Sequence, residues 1–374
     1  MSDSTRSLGL KQQPQLVHLI DAIAARLNPI LFPPHSLSAL RSLTAKLPPA
    51  SPLLFELRML EEEDSTLDLS LPLPEDFCLY KSDWVYSSCW EKIVALRTAS
   101  LAGGEFAGAI ATNVFWCEFD FDQMFNPIPL PGVFLNISPE LSKSKNNSFL
   151  SQLICRAVSI LRGEIVPDSI QQNLETTLQT LPADVYFTQF GVMLSRPASS
   201  IRVNFSGWQA ENIASWLENV GCKAVAAEVT KVTQQIPNLL DRMMVTLDIA
   251  ESINPRVGIE CYPTSMQSLS SCQQSGDWLG EFTTWLTTHS LASSCKAKAL
   301  RNWNGYKESS IESPDSDQGY FWGYYACATD ISHLKLVFDP IAGLQAKAYI
   351  LADFIHPDDD ESQKAPAFFL DVGL

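Results

Sequence analysis

The sequence predicts an α+β fold: about ten antiparallel strands accompanied by paired helices. The strands either close into a barrel or form an open sheet covered by helices on one face. Two observations carry this. Segments with helical spacing and segments with strict alternation recur in a fixed order along the chain. The members of each strand pair are joined by short connections rich in Pro or Gly, which makes them antiparallel hairpins rather than the single strands of a βαβ unit.

Taken in order, Leu16, Leu19, Ile20, Ile23 and Leu27 have helical spacing up to Pro29. Ser36 suits the N-cap of a second helix running to Leu47, ahead of Pro48-Pro49. Leu53 to Leu60 alternates as a strand, with a partner expected near Tyr80–Tyr86. Strands follow at Val114–Asp120 and Gly132–Ile137, then helices near Phe149–Arg162 and Ser169–Thr180. The next strands are Val185–Ser195 and Ile201–Phe205, after which Ser206 is expected to cap a helix to Val220 and a further helix precedes Met243. Strands at Met243–Ile249 and Arg256–Tyr262 are separated by Asn254-Pro255. Helices near Trp278–His289 and Ala292–Trp303 precede the last strands, His333–Phe338 and Gln345–Ile350.

With 374 residues and 46% hydrophobic content the chain has ample material for a large core. It divides into a disordered segment over 1–14, one repeat barrel domain over 15–355 and an acidic tail over 356–374 containing Asp358-Asp359-Asp360-Glu361. The repeats are too far apart for a short solenoid. A formal charge of −16 argues against a nucleic-acid partner, which needs a basic face. No stretch of about 18 apolar residues predicts a membrane span. Met1–Gln15 lacks the apolar core of a secretion signal, and the nine cysteines show no C-x-x-C pair. Together these point to a reducing cytoplasm. The phosphate-loop, dinucleotide and nucleophile-elbow motifs are missing from the sequence, and the histidines have no zinc spacing.

Period two sorts each strand into two faces. One is apolar: Phe55, Phe115, Leu135, Val203, Leu247, Ile259 and Leu336 exemplify it. The other carries Glu56, Arg58, Trp116, Glu118, Asp120, Asn136, Arg202, Asn204, Asp248, Arg256, Glu260, Tyr262, His333, Lys335, Lys347 and Tyr349. On an open sheet this second face would meet water. Its mixture of both charges with Trp and Tyr, and the exposed edges a many-stranded open sheet would leave, favour closure around a ligand-sized lumen.

The repeat order, Lys347-Ala348-Tyr349 as a K-x-Y on a late strand, and Glu56 on the first strand resemble the ABBA-type aromatic prenyltransferases. That resemblance implies a ten-stranded barrel inside a ring of helices. Its lumen would bind an allylic diphosphate through Arg and Lys shielded by Tyr, beside an aromatic or peptide acceptor. Glu56 would contact the acceptor. The lumen of this chain departs from that pattern in its acids, Glu118, Asp120, Asp248 and Glu260.

Ionising an allylic diphosphate requires cations at the leaving group and aromatic faces around the carbocation. Arg58, Arg202, Arg256, Lys335 and Lys347 are the candidates for the first task, and Trp116, Tyr262 and Tyr349 for the second. Each cation taken singly fits a cross-strand salt bridge better than a ligand contact. Glu56 and Glu118 are candidates to orient the acceptor or take its proton, with Glu260 and His333 as further acid–base groups. No cofactor is implied beyond a Mg²⁺ that Glu118 and Asp120, on one strand face, suit. Three functions remain open: prenyl transfer in a natural-product pathway, a non-catalytic ligand- or peptide-binding barrel, and a barrel enzyme using carboxylate and His acid–base chemistry.

Overall fold

The computed structural model describes residues 16–24, 27–48, 50–60, 67–73, 88–101, 103–121, 130–144, 146–196, 200–236, 239–240, 242–263, 278–303, 305–312 and 321–355. Helices α1 (Leu16–Ala24) and α2 (Pro34–Thr44) precede strands β1 (Leu53–Arg58) and β2 (Leu67–Pro72). Helix α3 (Ser88–Ser100) leads into β3 (Ile110–Asp120) and β4 (Gly132–Ile137). Then come α4 (Pro139–Lys143), α5 (Asn147–Arg162) and α6 (Asp168–Gln179), followed by β5 (Tyr186–Met193) and β6 (Ile201–Ser206). Helices α7 (Ala210–Asn219) and α8 (Lys223–Gln235) precede β7 (Arg242–Ile249) and β8 (Ile253–Tyr262). The chain continues through α9 (Trp278–Thr288) and α10 (Ser294–Arg301) into β9 (Gly305–Glu312), β10 (Phe321–Asp339) and β11 (Gly343–Ile355).

Strands β1 to β8, β10 and β11 pair antiparallel in sequence, and β11 returns to β1. The sheet is therefore a closed barrel of ten strands, with β9 added outside on the first half of β10. Closure settles the choice between barrel and open sheet: most of the second face is turned away from bulk water. Glu56 is 5% exposed, Asp120 4% and His333 3%, where a solvated face would leave such groups in water.

The apolar face packs outward on the helices. Phe55 meets Phe32 edge-on at 5.1 Å, and Phe32 stacks on Trp303 at 5.4 Å. Across the barrel from β1, Phe205 of β6 is flanked by Phe187 and by Trp216 of α7. These rings are fully buried, and each contributes about 2–3 kcal/mol of hydrophobic stabilisation. No helix among the described residues is long and apolar enough to cross a membrane.

Three expectations change. Helix α2 starts at Pro34, with Pro33 as its cap, so Ser36 lies inside the first turn and is buried. Proline fits there because its fixed φ suits the first turn and it has no N–H to satisfy. Ser206 ends β6 instead of capping α7, whose N-cap is Gln209. Between them Gly207 turns the chain at φ 87°, where an added Cβ would lie 2.3 Å from the Asp184 carbonyl oxygen. The described partner of β1 is Leu67–Pro72; the expected strand at 80–86, the segment 1–14 and the tail 356–374 lie outside the described residues.

Candidate functional site

The inward row of each strand converges on two adjoining chambers inside the barrel. The larger, about 850 Å³ of empty space, has an apolar and aromatic wall of Leu54, Trp116, Phe134, Tyr262 and Tyr349, with Asn136, Gln189, Asn204 and Ser206 supplying neutral polar groups. The smaller, about 450 Å³, is lined by Arg196, Arg202, Arg256, Lys335 and Lys347 and by the carboxylates Glu56, Glu118 and Asp248. Glu118, Arg202, Lys335 and Tyr349 line both and mark the passage between them.

Antiparallel register puts each cation opposite an acid. Arg202 of β6 faces Asp248 of β7 and holds it through two parallel hydrogen bonds of 2.8 and 3.1 Å. Lys335 of β10 faces Glu260 of β8 and donates to it at 2.8 Å; Tyr262 donates to the other Glu260 oxygen at 2.8 Å. Lys347 and Tyr349 of β11 both donate to Glu56 of β1. At the barrel end Arg196 forks onto Asp120 at 2.7 and 3.0 Å, and Arg256 lies 3.5 Å from Asp339.

Burial and these pairs set the protonation states. Burial alone would raise Glu56, but the Lys347 ammonium and the hydrogen bonds from Lys347 and Tyr349 outweigh it and hold the carboxyl well below the usual range. Glu260 is likewise buried yet lowered to about 2, chiefly by Lys335. Glu118 behaves oppositely: burial, then the Glu56 charge, push it up to about 7 against the opposing pull of Arg202. Asp68, between Glu56 and Asp120 in the ladder, is pushed up to about 8 by burial and by Glu56, Glu118 and Asp120. Burial, with Lys335 nearby, lowers His333 to about 4, so its ring is neutral at physiological pH. It lies stacked on Tyr349 at 4.1 Å and tilted on Tyr262 at 4.7 Å. Its Nε2 is 3.6 Å from Glu260, too long for a hydrogen bond.

Eleven of the thirteen residues singled out from the sequence line one or both chambers: Glu56, Trp116, Glu118, Arg202, Arg256, Glu260, Tyr262, His333, Lys335, Lys347 and Tyr349. Arg58 and Asp120 line neither. Arg58 is the last residue of β1, where the chain leaves the barrel wall, and its carbonyl accepts from Lys296 at 2.7 Å. Asp120 ends β3 with both oxygens engaged, one by Arg196 alone and the other by Arg196 and Ser195. The expected Mg²⁺ between Glu118 and Asp120 therefore lacks a fitting donor set, and among the described residues no three His, Cys, Asp or Glu side chains converge to hold a metal. The sequence reading missed Asp68, Ser70, Gln189 and Arg196. Leu67-Asp68-Leu69-Ser70-Leu71 does alternate, and that signal identifies the strand.

No family model matches the chain, and no curated protein matches its sequence. Among solved structures it is similar to the 6-dimethylallyltryptophan synthase of Micromonospora olivasterospora in complex with DMASPP and Trp, at 13% identity and a TM-score of 0.51. That match covers 90% of this chain and 94% of that one. A second 6-dimethylallyl tryptophan synthase structure is 14% identical with a TM-score of 0.53, covering 91% of this chain and 96% of the other. At such identities the likeness is one of fold, and it is the likeness that the repeat order and inward charged rows implied: the chain has the prenyltransferase barrel of the ABBA-type aromatic prenyltransferases.

Proposed function

We propose that the protein transfers a prenyl group from an allylic diphosphate to an aromatic acceptor, a small molecule or a peptide side chain, inside the barrel. The observation that carries this is the junction of the two chambers: one lined by five basic side chains adjoins an apolar, aromatic one, and Glu118, Arg202, Lys335 and Tyr349 face both. Arg202 and Lys335, at the passage, would take the charge that develops as the C–O bond breaks. Tyr349 and Trp116 would face the allylic cation and exclude water. The acceptor's electron pair forms the new C–C or C–X bond, pyrophosphate leaves, and Glu118, facing both chambers, receives the acceptor's proton. Glu56, with both oxygens engaged, acts by holding Lys347 and Tyr349 in place.

A second reading, acid–base chemistry without a diphosphate, is favoured by one observation: Glu118 and Asp68 both titrate near neutrality. Calorimetric titration with dimethylallyl and geranyl diphosphate, followed by incubation with indole acceptors, separates the two. Prenyl transfer requires binding of the diphosphate and a prenylated product, with affinity falling at least tenfold in Arg202→Leu. Neither binding nor product would leave the acid–base reading in place.

A further inference from the structure

The inward face carries more acids than prenyl transfer calls for, and two of them have no counter-ion bonded to them. The ladder sets Glu56 of β1 opposite Asp68 of β2, Asp68 opposite Asp120 of β3, and Ser70, two residues along β2, opposite Glu118. Four carboxyls therefore share the inward face of three adjacent strands. Glu56 is held by Lys347 and Tyr349, and Asp120 by Arg196 and Ser195. Among the described residues Glu118 has no hydrogen bond or ion pair, and Asp68 has one weak bond, donated by the Phe121 N–H at 3.4 Å. The cations that act on them, Lys347 on both and Arg202 on Glu118, are themselves bonded to Glu56 and Asp248. Asp68 is 4% exposed and lines neither chamber, whereas Glu118, 9% exposed, faces both.

Two buried carboxyls in this position resist joint ionisation, because each charge lacks water and a counter-ion and repels the other. The diagonal step between them across β2 and β3 is about 7–8 Å, short enough for that repulsion to act. Burial and then Glu56 push Glu118 up to about 7, and burial, Glu56, Glu118 and Asp120 push Asp68 up to about 8. The other shifted groups of the lumen lie outside this range: Glu56, Asp248, Glu260 and His333 are lowered, and Tyr262 and Tyr349 raised. A diphosphate in the smaller chamber sets its negative charge against Glu118, and across the diagonal against Asp68, so it raises both further. A ligand that raises a group binds best when that group is protonated. Its affinity is full below the group's ligand-free value and is lost as pH rises through it. We propose that Asp68, acting through Glu118 as a positioning residue, holds the proton that lets an allylic diphosphate enter beside four carboxyls, so that donor binding in this barrel is coupled to proton uptake. Glu118, the carboxyl that meets the chambers, stays available to the acceptor because Asp68 behind it keeps that proton. This rests on the proposed function and adds a residue and a proton to its donor site.

Calorimetric titration of the full chain with dimethylallyl diphosphate, with no acceptor present, tests this at pH 7.5 and 9. The terminal phosphate titrates near about 6, so the charge of the ligand is constant over that interval. Wild-type affinity should fall at least about fivefold between the two pH values, and Asp68→Asn, which keeps the shape of the protonated acid, should fall at least about threefold less. Titration at pH 9 in two buffers of different ionisation enthalpy counts protons: the wild type should take up a proton that the variant does not. That wild-type count decides the question even where the variant fails to fold. Equal falls in the two proteins, no fall in the wild type, or no proton uptake at pH 9 would overturn the inference while leaving prenyl transfer in place. A variant weakened alike at both pH values would show Asp68 to be merely structural, and would overturn it as well. Absence of binding at either pH would overturn the proposed function, and this inference with it.

Discussion

Replacing Glu118 with glutamine should stabilise the protein by an amount that grows with pH. Folded Glu118 titrates near 7 against an ordinary 4.5, because burial and the Glu56 charge oppose its ionisation. The folded state therefore binds this proton more tightly than the unfolded chain does. Wild-type stability from this group is intact below about pH 4.5 and is lost as pH rises towards 7. The difference corresponds to about 3 kcal/mol of penalty at pH 9, which the glutamine variant escapes. With about 2.1 cal/mol/K of unfolding entropy per residue, a chain of 374 residues converts that to a rise in Tm of about 4 °C at pH 9, and to almost none at pH 4.5. Removing the Glu118 charge also relieves Asp68, which changes the result in the same direction. Thermal melts of both proteins from pH 4.5 to 9 measure the difference directly. A Tm difference that is constant across this range, or largest at the acid end, would refute the reasoning and remove Glu118 as a proton acceptor poised at neutral pH.

Two further outcomes follow from the ion pairs and the packing. Lys347→Met should cost about 3–5 kcal/mol in urea denaturation because it leaves buried Glu56 without its ammonium, and adding Glu56→Gln should restore most of the loss; simple additivity of the two single changes would deny the coupling. Gly191→Ala places a Cβ 2.3 Å from the Phe134 ring, so the ring must shift within the larger chamber; this should cost about 1–3 kcal/mol and weaken binding of an indole acceptor, whereas unchanged stability and affinity would show the chamber wall to be loose.

Period two alone identified the lumen residues because both faces of the barrel wall are buried, so the inward charged row stands out against an unbroken apolar one. What it could not supply is register. Arg202 meets Asp248, 46 positions away, only because β6 and β7 align those two residues across the ladder. Nor could alternation locate Gln189. Beta5 carries an irregularity between Phe187 and Gln189 that puts Thr188 and Gln189, neighbours in sequence, both on the larger chamber. The same device between Ile331 and His333 shifts β10 against β11. Asp68 was missed for a simpler reason: its strand follows β1 after a few residues, while the partner was sought near residue 80.

The ion pairs appear at first to work against a diphosphate, since each basic side chain of the smaller chamber already has a carboxylate beside it. Donor counting removes the conflict. A guanidinium has five N–H and an ammonium three, so Arg202, held by Asp248 through Nε and Nη2, and Lys335, giving one hydrogen bond to Glu260, can serve a second anion without releasing the first. The carboxylates then fix the cations in position before a ligand arrives, which lowers the ordering cost of binding. Protonation completes the balance. An Asp68 that keeps its proton near neutral pH, and a Glu118 that shares one, prevent the acid-rich side of β1, β2 and β3 from cancelling the basic chamber beside it. In the proposed reaction the negative charge of a bound diphosphate would raise the proton affinity of Glu118 as the acceptor gives up its proton, and departure of pyrophosphate would restore the pull of Arg202 and favour release of that proton to solvent.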